Sequence, residues 1–430
     1  MAAVDDPPLP DTDNPGFPHL DLALIQVAVE HAACADTDGA GEAELIDQIT
    51  QLQTLQTSLA ALQTARIRGF ARTHVAARIA AGTVEPEKLD RSVRAQVALA
   101  TRTSPTVAAG RVRVARDLHD GLDRVRALHA AGALNAEAAA AIAAATDHLD
   151  TEQRREVDRR LADHDLTELG LGRIRDLARS IAARVAPHQF RRRAREVREG
   201  RRVTVRPAPD GMAYLSAYLP LEQAVSCLAA LTKAHAAASC SPEPLTRTRG
   251  QFTADTLVER LTGAAHAGQT DLQLQVLVPL ELLVDPDSPL PVEIPGYGPV
   301  PADLLATADG RITWRRLTTR AGTVVGGDSR QRNFTGFLTE VIRARTRNRC
   351  ADPYCDAPIR HIDHIRRVDD GGITELESGR GVCEFHNHVR EHPGWRVERT
   401  PEGVTTTTPT GHTYRAGSGP SSTRPGGPLR

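Results

Sequence analysis

The sequence is poor in aromatic residues, in cysteine and in long apolar runs, and each shortage excludes a class of protein. With 7 Phe, 5 Tyr and 2 Trp among 430 residues, the core must consist mainly of Ala, Leu, Val and Ile, which favours helices. Six cysteines in so long a chain exclude a disulfide scaffold. The richest apolar stretch, Ala138–Ala145, is much shorter than the roughly 18 residues that a membrane-spanning helix requires.

The sequence also lacks an excess of charge of either sign. Its 53 basic and 54 acidic side chains nearly cancel, so the chain as a whole has no attraction for nucleic acid. The segment Met1–Phe17 is acidic and proline-rich, without the positive start and apolar stretch of a secretory signal. We therefore expect a disordered segment over residues 1–39 and a soluble, cytoplasmic protein.

A long amphipathic helix is predicted from Glu42 to Arg72. The leucines recur there in two heptad series, Leu45, Leu52 and Leu59 in one and Leu55 and Leu62 in the other. Because such a seam needs a partner helix, we expect this region to support a homo-oligomer.

Residues 74–186 continue as a helical bundle with no catalytic pattern. Periodic, alanine-rich segments run over Val93–Ala100, Val107–Leu128 and Ala136–Leu149. Helix boundaries are predicted at Gly82, Thr103–Pro105, Gly132 with Asn135, Asp150–Thr151 and Gly170–Gly172. One possible function is that the helical domain is itself the working part, as an oligomerisation or partner-binding scaffold.

The pattern changes near Pro187. Short strands are predicted at Val203–Val205, Ala213–Leu215, Ala217–Leu219 and Leu272–Pro279, and helices at Leu221–Ala238 and Gln251–Ala267. The basic run Arg191–Arg202 either contacts phosphates or forms a solvated helix face, in which Glu196 and Glu199 pair with arginines. We favour the solvated face, because charge runs of this size usually lie on the surface.

Three of the six cysteines and five of the sixteen histidines fall between Cys350 and His392. Cys350 and Cys355 form one close pair, and Cys383 and His386 form a second at the predicted start of a helix. Two such pairs are typical of a tetrahedral structural zinc site, because each pair spans one edge of the tetrahedron. We predict zinc at these four residues; the alternative is four unconnected, reduced side chains.

Between the two pairs, His361–Ile365 alternates like a strand, in which neighbouring side chains point to opposite faces. Asp363 could hold a hard cation such as magnesium while His364 acts as a base. Asn387 and His388, directly after the zinc ligands, could supply a further ligand toward Asp363. Each of these residues, taken alone, also has an ordinary structural explanation.

These residues resemble the HNH endonuclease family, whose ββα-metal core contains Asp-His, a Gly-Gly-x-Thr loop, an Asn, and a Cys-x-x-Cys pair followed by His or Asn. The matching positions are Asp363-His364, Gly371–Thr374, Cys383, His386 and Asn387-His388. Residues from about 40 to 330 look like the helical domain of unknown function that precedes this module in many proteins of high-GC Gram-positive bacteria. The segments that carry this second likeness are Arg249–Gln251, Ile294–Pro299, Trp314–Leu317 and Pro393–Trp395.

The resemblance implies metal-dependent hydrolysis of phosphodiester bonds in nucleic acid, with DNA as the expected partner. His364 would take a proton from water. A catalytic Mg or Mn ion, distinct from the structural Zn, would be held by Asp363 and Asn387, with His388 as a substitute ligand. The arginines near this strand would face phosphates, namely Arg343, Arg345, Arg347, Arg349, Arg360, Arg366 and Arg367.

Two positions depart from the family pattern. Ser378, the fourth catalytic candidate, stands where the family has the Asn that ties the loop to the catalytic His, and serine is shorter with a single oxygen. His386 stands where the pattern has cysteine, although Cys3His sites are ordinary for zinc. The competing hypothesis is a zinc-containing nucleic-acid-binding protein whose catalysis has lapsed through Ser378.

Together these patterns predict an α+β protein. A mostly helical domain with a small mixed αβ segment spans residues 40–330, and a small zinc-stabilised ββα-metal (HNH) module spans residues 335–400. Residues 401–430 are rich in Thr, Pro, Gly and Ser and are expected to form a disordered tail. No contact with a membrane is expected.

Overall fold

The computed structural model describes residues 22–33, 41–82, 86–240, 245–267, 285, 291–300, 319–320, 323–324, 334, 336–367, 370–400 and 403–416. The chain divides into two compact units, Met1–Gln56 and Thr57–Arg430, with the boundary inside one long helix. The described residues are mixed α+β, mostly helical toward the N-terminus and with small β-hairpins toward the C-terminus, as predicted. No helix among them is both long and apolar enough to cross a membrane.

From Glu42 to Arg198 the helices of the described residues follow one another with short connections, and longer stretches separate most of the later ones. They are α1 (Leu22–Ala33), α2 (Glu42–Ala80), α3 (Pro86–Ala100), α4 (Pro105–His119), α5 (Asp123–Ala130), α6 (Ala136–Ala145), α7 (Thr151–Leu161), α8 (Leu171–Val185), α9 (Pro187–Arg198), α10 (Leu221–Ser239), α11 (Arg249–Thr262), α12 (Gly336–Arg345) and α13 (Glu384–Val389).

The first helix lies in the segment for which disorder is expected. The acidic, proline-rich composition that suggests disorder belongs to Met1–Phe17, whereas Leu22–Ala33 is apolar and free of proline and glycine, as a helix requires. Residues 1–21 and 34–40 lie outside the described residues, so the disorder predicted there stays a prediction.

The predicted helix boundaries of the bundle are confirmed, and side chains cap the starts of α4, α6 and α7. Ser104 caps α4, where its Oγ accepts from the Val107 amide at 3.4 Å, and Asn135 caps α6. At α7, Asp150 and Gln153 form a reciprocal capping box, which satisfies two amides that the helix itself leaves unpaired.

The predicted segment Val107–Leu128 is two helices, and glycine is the reason. Gly121 separates α4 from α5 with a φ of 113°, a backbone conformation that side chains with a Cβ rarely adopt. A Cβ at this position would also lie 2.7 Å from the Thr151 carbonyl oxygen, so the turn requires glycine on both counts.

The bundle encloses two apolar clusters. The larger joins α4 to α8 through fully buried residues such as Leu118, Ile142, Leu161 and Ile174. The smaller lies between α2, α3 and α4, where small alanines on α4 let the helices approach closely. An aromatic-poor sequence thus builds its core from aliphatic side chains, as its composition predicts.

After the bundle, α9 carries most of the basic run on an exposed face. Arg192 pairs with Glu196 at 3.5 Å, and Arg193 reaches Asp147 at 3.1 Å. These pairs favour the solvated-face interpretation. An antiparallel hairpin follows, β1 (Arg202–Pro207) with β2 (Ala213–Tyr218), and β2 is continuous where two short strands are expected.

The helix predicted at Gln251–Ala267 ends earlier, at Thr262. Gly263 adopts the left-handed conformation with a φ of 73°, and its amide caps the carbonyl of Glu259. The strand predicted at Leu272–Pro279 lies outside the described residues.

The remaining strands form small antiparallel sheets. The two-stranded ones are β3 (Val292–Ile294) with β4 (Gly298–Val300), β5 (Thr319–Arg320) with β6 (Thr323–Val324), and β7 (His361–His364) with β8 (Gly379–Val382). A three-stranded sheet contains β9 (Arg396–Thr400), β10 (Gly403–Thr407) and β11 (Thr413–Ala416), with β10 in the centre.

This last sheet extends into the residues for which a disordered tail is expected. The run of threonines that gives residues 401–408 a low-complexity composition also consists of β-branched residues, which suit a pleated strand. Its order therefore comes from pairing with β9 and β11, which composition does not report. Residues 417–430 lie outside the described residues.

Helix α12 packs directly on β8. Gly379 makes this possible, because a Cβ there would lie 2.5 Å from the Cδ1 atom of Ile342 on α12. Leu338, Val341 and Ile342 form a small core with Leu376, and Ile362 of β7 packs against it. The hairpin β7–β8 is thus held from one side by α12.

The C-terminal module also packs on the helical bundle. Ala95 and Leu99 of α3 form a buried cluster with Val389 of α13 and with Trp395. A polar contact joins the same two parts, since the Trp395 indole donates to Ser92 Oγ at 3.4 Å. Helix α13, which begins at the cysteine and histidine pair, is therefore supported by a helix of the N-terminal bundle.

Candidate metal centre

The four predicted zinc ligands come together in the folded chain. Cys350 and Cys355 lie in a tight turn after α12, closed by a hydrogen bond from the Cys350 amide to the Ala357 carbonyl at 2.8 Å. Cys383 is the N-cap residue of α13, and His386 is in its first turn. All four are buried, and their ligand atoms lie within 4.8 Å of one another.

The spacing of these atoms fits a tetrahedral ion. The Sγ atoms of Cys355 and Cys383 are 3.9 Å apart, and Nδ1 of His386 lies 3.4 Å from Sγ of Cys350 and also of Cys383. With zinc bonds of about 2.3 Å to sulfur and about 2.0 Å to nitrogen, the edges of a tetrahedron are about 3.5 to 3.8 Å. Three thiolates and one imidazole are a donor set that zinc prefers, so the residues present fit this metal.

The electrostatics of the centre also suit a cation. Hydrogen bonds from Cys350 and Cys355, together with the neighbouring His386, lower the pKa of the Cys383 thiol. Burial alone would lower the pKa of His386, but Asp352 and the thiols of Cys355 and Cys383 raise it to about 10. A metal ion that takes the place of these protons releases them on binding, so metal affinity at this centre falls as the pH is lowered.

Asp352 links the centre to the hairpin β7–β8. It is buried between the first two cysteines and accepts from Arg380 Nη1 at 2.9 Å and from Thr406 Oγ1 at 3.2 Å. Burial acts to raise the pKa of this carboxyl, but the charges of Arg380 and His386 outweigh it and hold the pKa below its usual value. Asp352 is therefore an anion, and no motif or spacing in the sequence indicates its role.

Asp363, the predicted ligand of a catalytic cation, lies on β7 opposite Arg380 of β8. Its Oδ2 atom accepts from Arg380 Nη2 at 3.3 Å and from Arg390 Nη1 at 2.5 Å, and both arginine side chains are buried. All of these contacts fall on Oδ2. The carboxylate therefore already has two cationic partners, neither of which was expected from the sequence.

His364 follows on the other face of the strand. Its ring lies against Phe334 with centroids 4.4 Å apart, and Nε2 is 3.0 Å from Thr374 Oγ1. Thr374 belongs to the Gly-Gly-x-Thr loop, and it fixes the orientation of this imidazole. The ring also lines an open cavity of about 310 Å³.

Ser378 stabilises the loop that carries Thr374. Its hydroxyl accepts from the Glu375 amide at 3.0 Å and donates to the Ile373 carbonyl, and its own carbonyl accepts from the Ile365 amide at 2.8 Å. The backbone carbonyl of Ser378 thus ties the loop to Ile365, the residue after His364. Among the described residues, its side chain makes hydrogen bonds only to the backbone of its own loop.

Asn387 and His388 lie on α13, half-buried and exposed respectively. Two residues after His388, Arg390 donates to the backbone carbonyls of His364 and Ile365 as well as to Asp363. Its position three residues after Asn387, on the same side of the helix end, is the only sequence signal that could have indicated it.

A second ion, Mg or Mn, would find fewer protein ligand atoms beside Asp363 than zinc finds at the Cys3His cluster. Asp363 would have to bind it through Oδ1, because Oδ2 lies between two guanidinium groups, and Asn387 would supply an oxygen from α13. The four residues of the zinc set are the only cluster of three or more such ligands among the described residues.

A mostly helical body followed by small β-hairpins with a buried Cys3His cluster, which could hold a metal ion, defines an α+β protein. The family model for the domain of unknown function DUF222 matches residues 54–278, just over half of the chain, and the chain belongs to this family. The match confirms the helical part of the resemblance described above. No curated protein and no solved structure matches the chain.

Proposed function

We propose that the chain is an HNH-type endonuclease that hydrolyses phosphodiester bonds of nucleic acid, with DNA as the main substrate. The observation that carries the proposal is the placement of His364. It stands at the end of β7 with its ring oriented by Thr374, and the order β7, β8, α13 is the strand, strand, helix order of the family. The buried Cys3His centre fixes the start of α13 beside this hairpin.

In this proposal His364 acts as the general base. Its ring takes a proton from a water molecule beside the scissile phosphate, while Thr374 holds the ring in one orientation. Arg390 holds the end of β7 through the carbonyls of His364 and Ile365. A Mg or Mn ion at Asp363 and Asn387 would supply stabilisation of the negative charge that develops on the phosphate oxygens. Zinc would be structural, since all four of its ligands come from the protein.

The test is cleavage of supercoiled plasmid DNA in the presence of Mg or Mn. We expect the wild type to nick the plasmid, and His364→Gly to be at least about a hundredfold slower, the usual scale of general base catalysis. Added imidazole should restore part of the lost rate, which a purely structural role would not allow. His188→Ala, an exposed histidine on α9, is the matched control.

The alternative is a zinc-containing nucleic-acid-binding protein that has lost catalysis. Two observations favour it, namely the engagement of Asp363 by two arginines and the use of the Ser378 side chain within its own loop. Binding of DNA without cleavage, combined with a gain of cleavage in Ser378→Asn, would establish this alternative. Reduced thiols at the metal centre fit a cytoplasmic location for either activity.

For the helices at the N-terminus we propose self-association. Leu52 and Leu55 of α2 are 63% and 60% exposed, and they belong to the two heptad series. The stripe is flanked mainly by Gln and Thr, so a second copy of the same helix could approach it without charge repulsion.

A further inference from the structure

The seven arginines predicted to face phosphates differ in their partners in the structure. Four are paired with carboxylates at 2.8 to 3.3 Å. These pairs are Arg345 with Glu377, Arg347 with Glu293, Arg349 with Asp356, and Arg367 with Glu391. Their charges are largely neutralised, so they contribute little to attraction for an anion.

Two of the remaining arginines face the same cavity. Arg343, in the last turn of α12, and Arg360, directly before β7, both line the 310 Å³ cavity beside His364. Among the residues that the structure describes, neither has a carboxylate within ion-pair distance. The seventh, Arg366, lies next to Gly371, outside the cavity lining.

The other lining residues are also compatible with an anion. They are His361, His364, Thr339, Phe334 and Ile362, so the described lining has no acidic side chain. Asp363 is directed to the opposite face of β7, where Arg380 and Arg390 engage it. A negative group in the cavity therefore meets two guanidinium groups, and the carboxylate of Asp363 lies on the other face of the strand.

We propose that this cavity binds one backbone phosphate of nucleic acid, with Arg343 and Arg360 as its donors. The inference rests on the proposed function, whose phosphodiester substrate it places on the His364 face of β7. Guanidinium groups suit this ligand because they donate two parallel hydrogen bonds to phosphate oxygens and keep their charge at all working pH values. The location beside the imidazole suits a backbone phosphate next to the scissile one, which would itself lie between His364 and the ion proposed at Asp363.

Binding can be measured separately from cleavage. We would titrate the full-length protein into a fluorescently labelled DNA duplex, and in a second arm a labelled RNA hairpin, without added divalent metal and at several salt concentrations. The test protein is Arg343→Gln/Arg360→Gln. The matched control is Arg349→Gln/Arg366→Gln, which removes the same charge from the same region outside the cavity lining. Zinc content and circular dichroism check that both proteins are folded.

The cavity variant should bind the preferred nucleic acid about tenfold or more weakly than the wild type, since two charge-assisted donors are lost. The slope of log affinity against log salt should fall in magnitude by about 0.7 to 0.9, the value for one phosphate. The control variant should differ much less from the wild type, both in affinity and in the salt slope.

Equal affinities of the cavity variant and the wild type would overturn the inference, as would an equal loss in the control or no binding of either nucleic acid. The proposed function and the phosphate site can be refuted separately. A protein that binds through Arg343 and Arg360 without cutting DNA would refute only the nuclease activity. A protein that cuts DNA equally well with both arginines replaced would refute only the phosphate site.

Discussion

At the scale of single residues, the Cys3His centre is the part of the site that the sequence predicts best. Spacing alone predicts Cys350, Cys355, Cys383 and His386 as ligands, and the structure brings their ligand atoms together in a buried cluster. Spacing suffices here because each close pair is local, and a tight turn or one turn of helix fixes the two ligands of a pair without tertiary structure.

We predict that Cys383→Ser abolishes zinc binding. Purified wild-type protein should contain about one zinc per chain by elemental analysis, and the variant close to none, because an alcohol is a poor substitute for a thiolate. Its melting temperature should also fall, since the small module has little apolar core to replace the metal. Cys227→Ser, at an exposed cysteine of α10, should retain both properties. Full zinc content in the Cys383 variant would contradict the assignment.

The residues around Asp363 show what spacing does not reveal. Arg380 lies opposite Asp363 only because β7 and β8 pair in one particular register, and Arg390 reaches the same carboxylate only because α13 packs beside β7. Neither relation is local in sequence. A one-residue shift of the strand register would place Arg380 on the other face, so tertiary structure alone determines this network.

At the scale of elements, the contact between α3 and the C-terminal module gives the DUF222 helices a structural part in the metal centre. Leu99 and Ala95 are buried against Val389, which closes α13, and against Trp395. The helix that begins with Cys383 and His386 thus packs on the bundle as well as on its own hairpin.

We predict that Leu99→Ala speeds the release of zinc to a chelator severalfold at a temperature where the protein remains folded. The cavity left on α3 should cost about 2 to 5 kcal/mol of stability, and the loss falls on the contact with α13. Zinc transfer to a coloured chelator follows the release. Leu118→Ala, equally buried but in the bundle core, should be destabilising without a comparable change in zinc release. Equal release rates in wild type and Leu99→Ala would show that α3 does not support the centre.

At the scale of the whole molecule, the exposed leucines of α2 are the basis for the proposed self-association. A monomeric helix with Leu52 and Leu55 each about three-fifths exposed leaves apolar surface in water along its length. Sequence periodicity predicts the same seam, because heptad spacing is a local property of the helix.

We predict that Leu52→Glu converts the protein to a monomer, because like charges would face each other across the seam. Sedimentation or light scattering should show a wild-type mass at least twice that of one chain and a variant mass of one. Thr54→Glu is the matched control, since two residues along a helix turn the side chain about 200° to the opposite face. A monomeric wild type would refute the self-association.

The amino-acid sequence by itself determined the helical body, its caps and breaks, the leucine seam and the zinc ligands, because each of these depends on residues a few positions apart. Only the tertiary structure decided which arginines face His364, which neutralise Asp363, and that α3 supports α13. Those relations join residues up to about 300 positions apart. They depend on strand register and on the packing of helices from different parts of the chain, and neither has a periodic signature in the sequence. The shortage of aromatic residues showed how the core is built, whereas the charges that meet at the site became visible only in the folded chain.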